Sequence, residues 1–381
     1  MKKLFWIGLA GLLAFELANV YFIMPMPGSQ QMNSIDLAYF LYQWRWAFRL
    51  GFGALLLLGW WKGAWRPRAK RWLLVPVLVF GAVAWMANFK MAADAMFRQP
   101  HQLVMASVAD NKIDSNRLVI GVSAGDESRA YPIQLIGYHH YIQDSIAGKR
   151  ILVTYCTVCR TGRVYEPIVN GQPEQFRLVG MDHFNAMLED AGTGSWWRQV
   201  TGEAIAGKLK GQQLPEFPSM QTSLKNWLRL NPGSRIMQAD PSYADVYSKT
   251  FDYETGKSRT SLTGTDSLSW KRKSWVVGVK LGNQRRAYDW NQLRTEKLIQ
   301  DQIGNIPILI VMTADSTGFY AFQRPDTNAR FTLNRDTLAW NQYHFRVDGK
   351  GIDTSLHLIK LPAYQEFWHS WQTFNPGTTK Y

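Results

Sequence analysis

Apolar positions along the chain fall into two regimes. From Leu4 to Met24, Leu37 to Trp61 and Trp72 to Phe89 they run almost unbroken, and each run is long enough to cross a bilayer as a helix. Beyond about residue 100 they come in short bursts, broken every few residues by Gly, Pro, Asn or Asp. The pattern predicts three transmembrane helices, about 4–24, 37–61 and 72–89, within an anchor of residues 1–98, followed by a strand-rich α+β region. The first run lacks the small-residue cleavage site of a signal peptide and reads as a retained helix.

Polar residues inside those runs need partners. Glu16 and Arg45 lie at matching depths from the same expected membrane face, so Glu16 is expected to pair with Arg45 or, one turn further in, with Arg49. The loop 25–36 has no Lys or Arg, whereas 62–71 holds Lys62, Arg66, Arg68, Lys70 and Arg71, and Lys2 and Lys3 precede the first helix. The positive-inside rule then places the N-terminus in the cytoplasm and everything after about Lys90 outside it. The expected location is a bacterial inner (cytoplasmic) membrane with the C-terminal region periplasmic or extracellular. Trp60, Trp61, Trp65 and Trp72 would form the inner aromatic belt, and Tyr21, Tyr39 and Tyr42 the outer one.

The outer region repeats itself. Residues 121–156 align without gaps on 278–313, with 12 of 36 positions identical, among them Gly121, Arg129, Tyr131 and Asp144. A second echo matches Pro218, Gln221, Trp227, Asn231, Pro232 and Gly233 to Pro362, Gln365, Trp371, Asn375, Pro376 and Gly377. This organisation predicts a first unit over 99–237, a linker over 238–273 and a second unit over 274–381. Within each unit, short runs flanking a Gly-Asp or Gly-Asn turn predict a hairpin, Arg150–Tyr155 a further strand, and Ser223–Leu230 a helix stopped by Asn231-Pro232-Gly233. The charges kept in both units, Arg129 with Asp144 and Arg286 with Asp301, read as structural ion pairs.

Net charge is +14, but residues 1–100 carry 11 Lys/Arg against 3 Asp/Glu. The basic excess therefore belongs chiefly to the expected anchor, whose partner is the lipid bilayer, and nucleic-acid binding is not expected.

Only two cysteines occur, Cys156 and Cys159, spaced CxxC. They form a short-loop disulfide, a redox dithiol or two ligands of one metal ion. Arg160 stands where a haem motif needs histidine, and a turn and a strand follow rather than a helix, which favours a β-knuckle that chelates metal. His139 precedes the pair within the same unit, with Asp144 close by, so the leading expectation is copper or zinc held by Cys156, Cys159, His139 and Asp144. His140 and Glu203 are additional candidates. The glycines around Trp196, Trp197 and Glu203 match no nucleotide loop; the three side chains could line a cleft, and Trp196 reads as core. The second unit has Glu296 and Thr313 in place of His139 and Cys156 and reads as scaffold. Two other readings stay open: a thiol-disulfide oxidoreductase using the same CxxC, with Arg160 and Arg163 stabilising a thiolate, and a structural module that meets a cell-envelope partner.

The segments RAYPIQLIGYHHYIQD, VTYCTVCRTG, TGSWWRQVTGEAIAG and LPAYQEFWHSWQTFNPGTTKY together make the chain resemble the domain-of-unknown-function family number 3179 over roughly residues 100–381. The histidine matching His139 is usually followed by an acidic residue in that family, and here His140 stands there. The resemblance implies an extracytoplasmic, often membrane-attached domain and brings no activity with it.

Overall fold

The computed structural model describes residues 1–248 and 251–381, the side chain of Phe251 excepted. The chain divides into two compact bodies: residues 1–98 with 174–198 and 202–213, and residues 99–173 with 199–201 and 214–381.

In the first body, two stretches are long and apolar enough to cross a membrane, Lys2–Tyr21 and Pro67–Lys90. The expected middle span is not among them. It breaks at Trp44 into helices Ile35–Gln43 and Arg45–Lys62, and the second of these carries Arg45, Arg49 and Lys62 in 18 residues. Arg45 donates to the Tyr42 carbonyl at 2.7 Å, satisfying an acceptor beside the break, and lies over the Tyr42 ring. It is therefore not the partner of Glu16. That role falls to Arg49, which meets Glu16 at 2.7 and 3.0 Å, while Asn88 donates to the same carboxylate at 2.8 Å and accepts from Arg49 at 2.7 Å. All three side chains thus satisfy one another in apolar surroundings.

Small residues let these helices touch. A Cβ on Gly8 would lie 2.4 Å from the Leu56 amide nitrogen, and one on Gly59 would lie 2.1 Å from that of Phe5. Helices Lys2–Tyr21 and Arg45–Lys62 therefore pack backbone against backbone.

The strands Phe176–Asp182, Asn185–Asp190, Trp196–Arg198 and Ala204–Ala206 form an antiparallel sheet that belongs to this body, not to the unit 99–237 expected from the repeat. Trp196 is buried against Tyr39 and Tyr42, with ring centroids 5.1 and 5.3 Å apart. Those two tyrosines accordingly cover protein on one side. Trp196 is core, as its sequence setting suggests.

The second body is α+β and strand-rich, with two halves of matching element order. In the first half, Leu118–Ala124 pairs with Glu127–Pro132 around Gly125, whose φ of 54° suits glycine. Helix Ile133–His139 follows, then the antiparallel strands Tyr141–Ile146, Lys149–Cys156 and Thr161–Tyr165. Later Ser219–Ser223 joins Leu118–Ala124, helix Leu224–Leu230 runs to Asn231, and Arg235–Met237 lies parallel to Glu127–Pro132.

The second half gives Trp275–Leu281, Gln284–Asp289, helix Trp290–Glu296, Leu298–Ile303, Ile306–Met312, Phe319–Gln323, Ala363–Phe367, helix Trp368–Phe374 and Thr379–Lys380, with the corresponding pairings. Details coincide as well. His140 and Lys297 end their helices at φ 66° and 64°. Gly121 lies under Trp227 and Gly278 under Trp371, each so close that a Cβ would fall 2.2 Å from the ring.

The repeated charges also match. Asp144 accepts from Arg129 at 2.5 Å and from Tyr131 at 2.7 Å, and Asp301 accepts from Arg286 at 2.6 Å and Tyr288 at 2.8 Å. Each trio ties the hairpin to the next strand. The stretch read as a linker is more than a connector, because Tyr243, Tyr247 and Tyr253 are buried in the core of the first half beside Ile133, Val153 and Tyr155.

Candidate functional site

Cys156 ends one strand and stands opposite Thr161, which begins the next, and Thr157–Arg160 make the turn between them. The CxxC thus occupies a hairpin tip, the knuckle its flanking sequence predicts. Arg160 closes the turn at φ 53°. Both cysteines are buried thiols, 1 % and 0 % exposed, and are not joined in a disulfide.

The tip is fixed from several sides. Arg160 is fully buried, donates to the carbonyls of Tyr253 at 3.1 Å and Glu254 at 2.9 Å, and lies 3.6 Å over the Trp275 ring. The Cys159 carbonyl accepts from the Phe367 amide at 2.8 Å, and the Val158 carbonyl from His369 Nε2 at 3.1 Å. Below the turn, Arg163 forms a buried ion pair with Glu366 and donates to Thr161 Oγ1 at 2.6 Å. Burial pushes the Glu366 carboxyl up, and Arg163 opposes that shift.

The surroundings of the thiols are cationic. Burial, together with Arg272, pushes the Lys273 amine down to about 8, while Cys159 and Cys156 act in the opposite sense. His369 is pushed down to about 4, chiefly by burial and further by Lys273 and Arg272, so its ring is neutral near pH 7 and donates through Nε2. Tyr155, hydrogen-bonded to Tyr253 at 2.8 Å, is pushed up to about 12 by burial and stays a phenol.

The other residues singled out for a metal are engaged elsewhere. His139 is buried among the rings of Tyr138, Tyr243 and Tyr247 and shares a 2.6 Å hydrogen bond with the Tyr247 hydroxyl. His140 donates through Nδ1 to the Gly137 carbonyl at 3.0 Å, and burial pushes its ring down to about 4. Asp144 serves Arg129 and Tyr131. Glu203 belongs to the first body, where it lies 3.5 Å from Arg198.

Among the described residues no three of His, Cys, Asp and Glu gather closely enough to hold a metal ion. The set Cys156, Cys159, His139 and Asp144 is therefore not assembled, and these residues do not fit a copper or zinc centre of three or more ligands. The reason is local: each of the non-cysteine candidates is satisfied by its own hydrogen-bonding partner.

Sequence reasoning passed over His369, Lys273 and Glu366. Their signals were present in the segments WHSW and KRK and in the closing LPAYQEF run, all remote in sequence from the CxxC they surround.

No curated protein and no solved structure matches this chain. The family model described as "Protein of unknown function (DUF3179)" matches residues 99–378, which take in the whole hairpin tip and every residue named around the thiols. The chain belongs to that family.

Proposed function

We propose that this protein is a membrane-anchored thiol-disulfide redox protein whose working pair is Cys156 and Cys159. The observation that carries the reading is the placement of both cysteines, as free thiols, at one hairpin tip near the Lys273 amine. In the exchange, one thiolate attacks a partner disulfide and expels one partner sulfur, which takes up a proton. The second cysteine, losing its proton, then attacks the mixed disulfide and releases the other partner sulfur. The partner disulfide ends as two thiols and the pair as one disulfide, so two electrons and two protons have moved.

The apolar surface of the first body supports the anchor. Leu50, Trp61, Trp72 and Leu78 are each more than 70 % exposed along the helical region, an arrangement that needs a cover, and a bilayer supplies it. We infer that helix Arg45–Lys62 crosses as a third span, which, with Lys2, Lys3 and the basic stretch 62–71 inside, would put residues 99–378 on the non-cytoplasmic side, where disulfide chemistry is favoured. We also infer that the two halves of the second body are copies of one ancestral unit, and that the second, with Thr313 and Ser316 where the first has Cys156 and Cys159, serves as scaffold.

The test is trapping of the mixed disulfide. Full-length Cys159→Ala and Cys156→Ala variants in lipid nanodiscs are challenged with oxidised glutathione. One variant is expected to hold glutathione covalently while the wild type releases it and forms the intrachain disulfide. If neither variant captures glutathione and the wild type stays fully reduced, the redox reading fails. Stoichiometric copper or zinc in anaerobically purified protein would also displace it.

A further inference from the structure

Strands Ser219–Ser223 and Ala363–Phe367 each lie at the edge of their own sheet, so neither has a second backbone neighbour in a ladder. They are equivalent in the two halves. Gln221 donates to its own counterpart Gln365 between them. Beside this contact is a cleft of about 440 Å³, within the size range of small-molecule sites.

The walls of the cleft are mixed in a particular way. Ile120, Met220, Phe319, Tyr320 and Tyr364 give it broad apolar and aromatic faces. Two of its charges are answered, Arg163 by Glu366 and Asp348 by Arg346 at 2.9 Å, while Glu216 accepts from the Tyr364 hydroxyl at 2.7 Å and keeps its negative charge on the wall. Lys350 and Lys360, both exposed, also line the cleft without an ion pair among the described residues, and the Lys360 ammonium lies 5.3 Å from the centre of the Tyr320 ring. Burial pushes the Lys360 amine down, and Lys350 and Arg346 push it in the same direction while Asp348 opposes them. Lys350 and Lys360 thus bring two ammonium groups to a cleft wall that also carries aromatic rings.

We propose that this cleft binds a small organic anion, with an apolar or aromatic body lying against Tyr320 and Tyr364 and a single carboxylate, sulfonate or phosphate head between Lys350 and Lys360. The aromatic walls take the body by dispersion and burial of apolar area. The head receives charge-assisted hydrogen bonds from two ammonium groups, which sets the sign of the ligand. The site uses neither cysteine, so it stands or falls independently of the redox reading.

The probe is 2-naphthalenesulfonate, measured by equilibrium dialysis against the full chain in nanodiscs, with empty nanodiscs subtracted. Saturable binding of one probe per chain is expected. Affinity should weaken about tenfold for each of Lys350→Ala and Lys360→Ala at low salt, from loss of one charge-assisted bond apiece. It should vanish in Ser219→Trp, an exposed position on the cleft wall whose indole would occupy the space. The neutral 2-naphthalenemethanol should bind at least about tenfold more weakly than the sulfonate, and inorganic phosphate alone should not compete at similar concentration. Equal binding of the neutral compound, undiminished binding to Ser219→Trp, or no saturable binding by the wild type would each overturn the proposal.

Discussion

The two hairpin tips of the second body, 156–161 and 313–318, occupy equivalent places and are built on opposite principles. In the second, hydrogen bonds close the turn from within. Thr313 Oγ1 donates to Asp315 at 2.7 Å and accepts from the Gly318 amide at 3.0 Å, and the Thr317 amide reaches Asp315 at 3.1 Å. From the first half, Ser223 donates its hydroxyl to Asp315 at 2.5 Å and its amide to Thr317 Oγ1 at 2.9 Å.

In the first tip, Cys156 stands in the place of Thr313 and Arg160 in that of Thr317, and a thiol is a weak hydrogen-bonding group. The turn is instead fastened through its carbonyls to Phe367 and His369 and through Arg160 and Arg163 to the surrounding chain. The halves are thus reciprocal, because Ser223 and Phe367, which bind the opposite tips, are themselves counterparts. Equivalent scaffolding tolerates two different tips, so the cysteines are not there because the turn requires them.

The largest break in this comparison should come from Glu366, the ion-pair partner of Arg163, whose counterpart in the other half is uncharged Thr222. Glu366→Ala leaves a buried guanidinium unpaired and is expected to destabilise the body by about 3–5 kcal/mol. Thr222→Val should cost about 1 kcal/mol. Denaturant unfolding followed by tryptophan fluorescence measures both, and equal losses would contradict the asymmetry.

Next in size is the response to acid. His369 and His140, both in contact with the first half, have folded values near 4, below the ordinary histidine value of about 6.5. The unfolded chain therefore takes up protons first, and stability declines as pH falls from about 6.5 toward 4. The double change His140→Gln/His369→Gln should flatten that decline. A decline of unchanged steepness in the double variant would show that other groups cause it.

The glycines should behave alike in the two halves. Gly121→Ala and Gly278→Ala each push a methyl group into a tryptophan ring and are expected to cost about 1–3 kcal/mol apiece. A large loss at one and none at the other would break the structural equivalence.

The smallest effect belongs to Asp315. Burial pushes its carboxyl up, but bonds from Ser223, Thr313 and Thr317 outweigh that and hold it below its usual value. Its contribution is therefore present above the unfolded value of about 3.9 and lost as pH falls through the lower folded value. The stability gap between wild type and Asp315→Asn should close below about pH 4, with no comparable effect at the cysteine tip.

What the sequence disclosed depended on how local the determining contacts are. The hairpins, the helix stop at Asn231 and the knuckle around the CxxC rest on turn residues and neighbouring strands, and these were legible. The partner of Glu16 was legible to within one helical turn, as Arg45 or Arg49, and it is Arg49 because Arg45 is drawn to the Tyr42 carbonyl beside a helix break that no Pro or Gly marks. The sheet 176–206 falls in the first unit because the two repeated ends, 121–156 and 218–233, bracket it, and nothing local shows that Tyr39 and Tyr42 cover it. His139 looked like a ligand because Tyr247, which satisfies it, lies 108 residues away in a stretch whose tyrosines read as polar linker. For the same reason His369, 211 residues from the Val158 carbonyl it binds, gave no sign of belonging to the site.

The central claim, that Cys156 and Cys159 act as one redox pair, is tested most directly by equilibrating the full chain in nanodiscs across a series of reduced-to-oxidised glutathione ratios and counting alkylatable thiols by mass. The account predicts that both thiols disappear together in a single two-electron transition. It also predicts that Thr313→Cys/Ser316→Cys, which places the same spacing in the other tip, adds a second transition at a different ratio. Thiols that remain alkylatable at every ratio, or that are lost independently as two separate glutathione adducts, would contradict it.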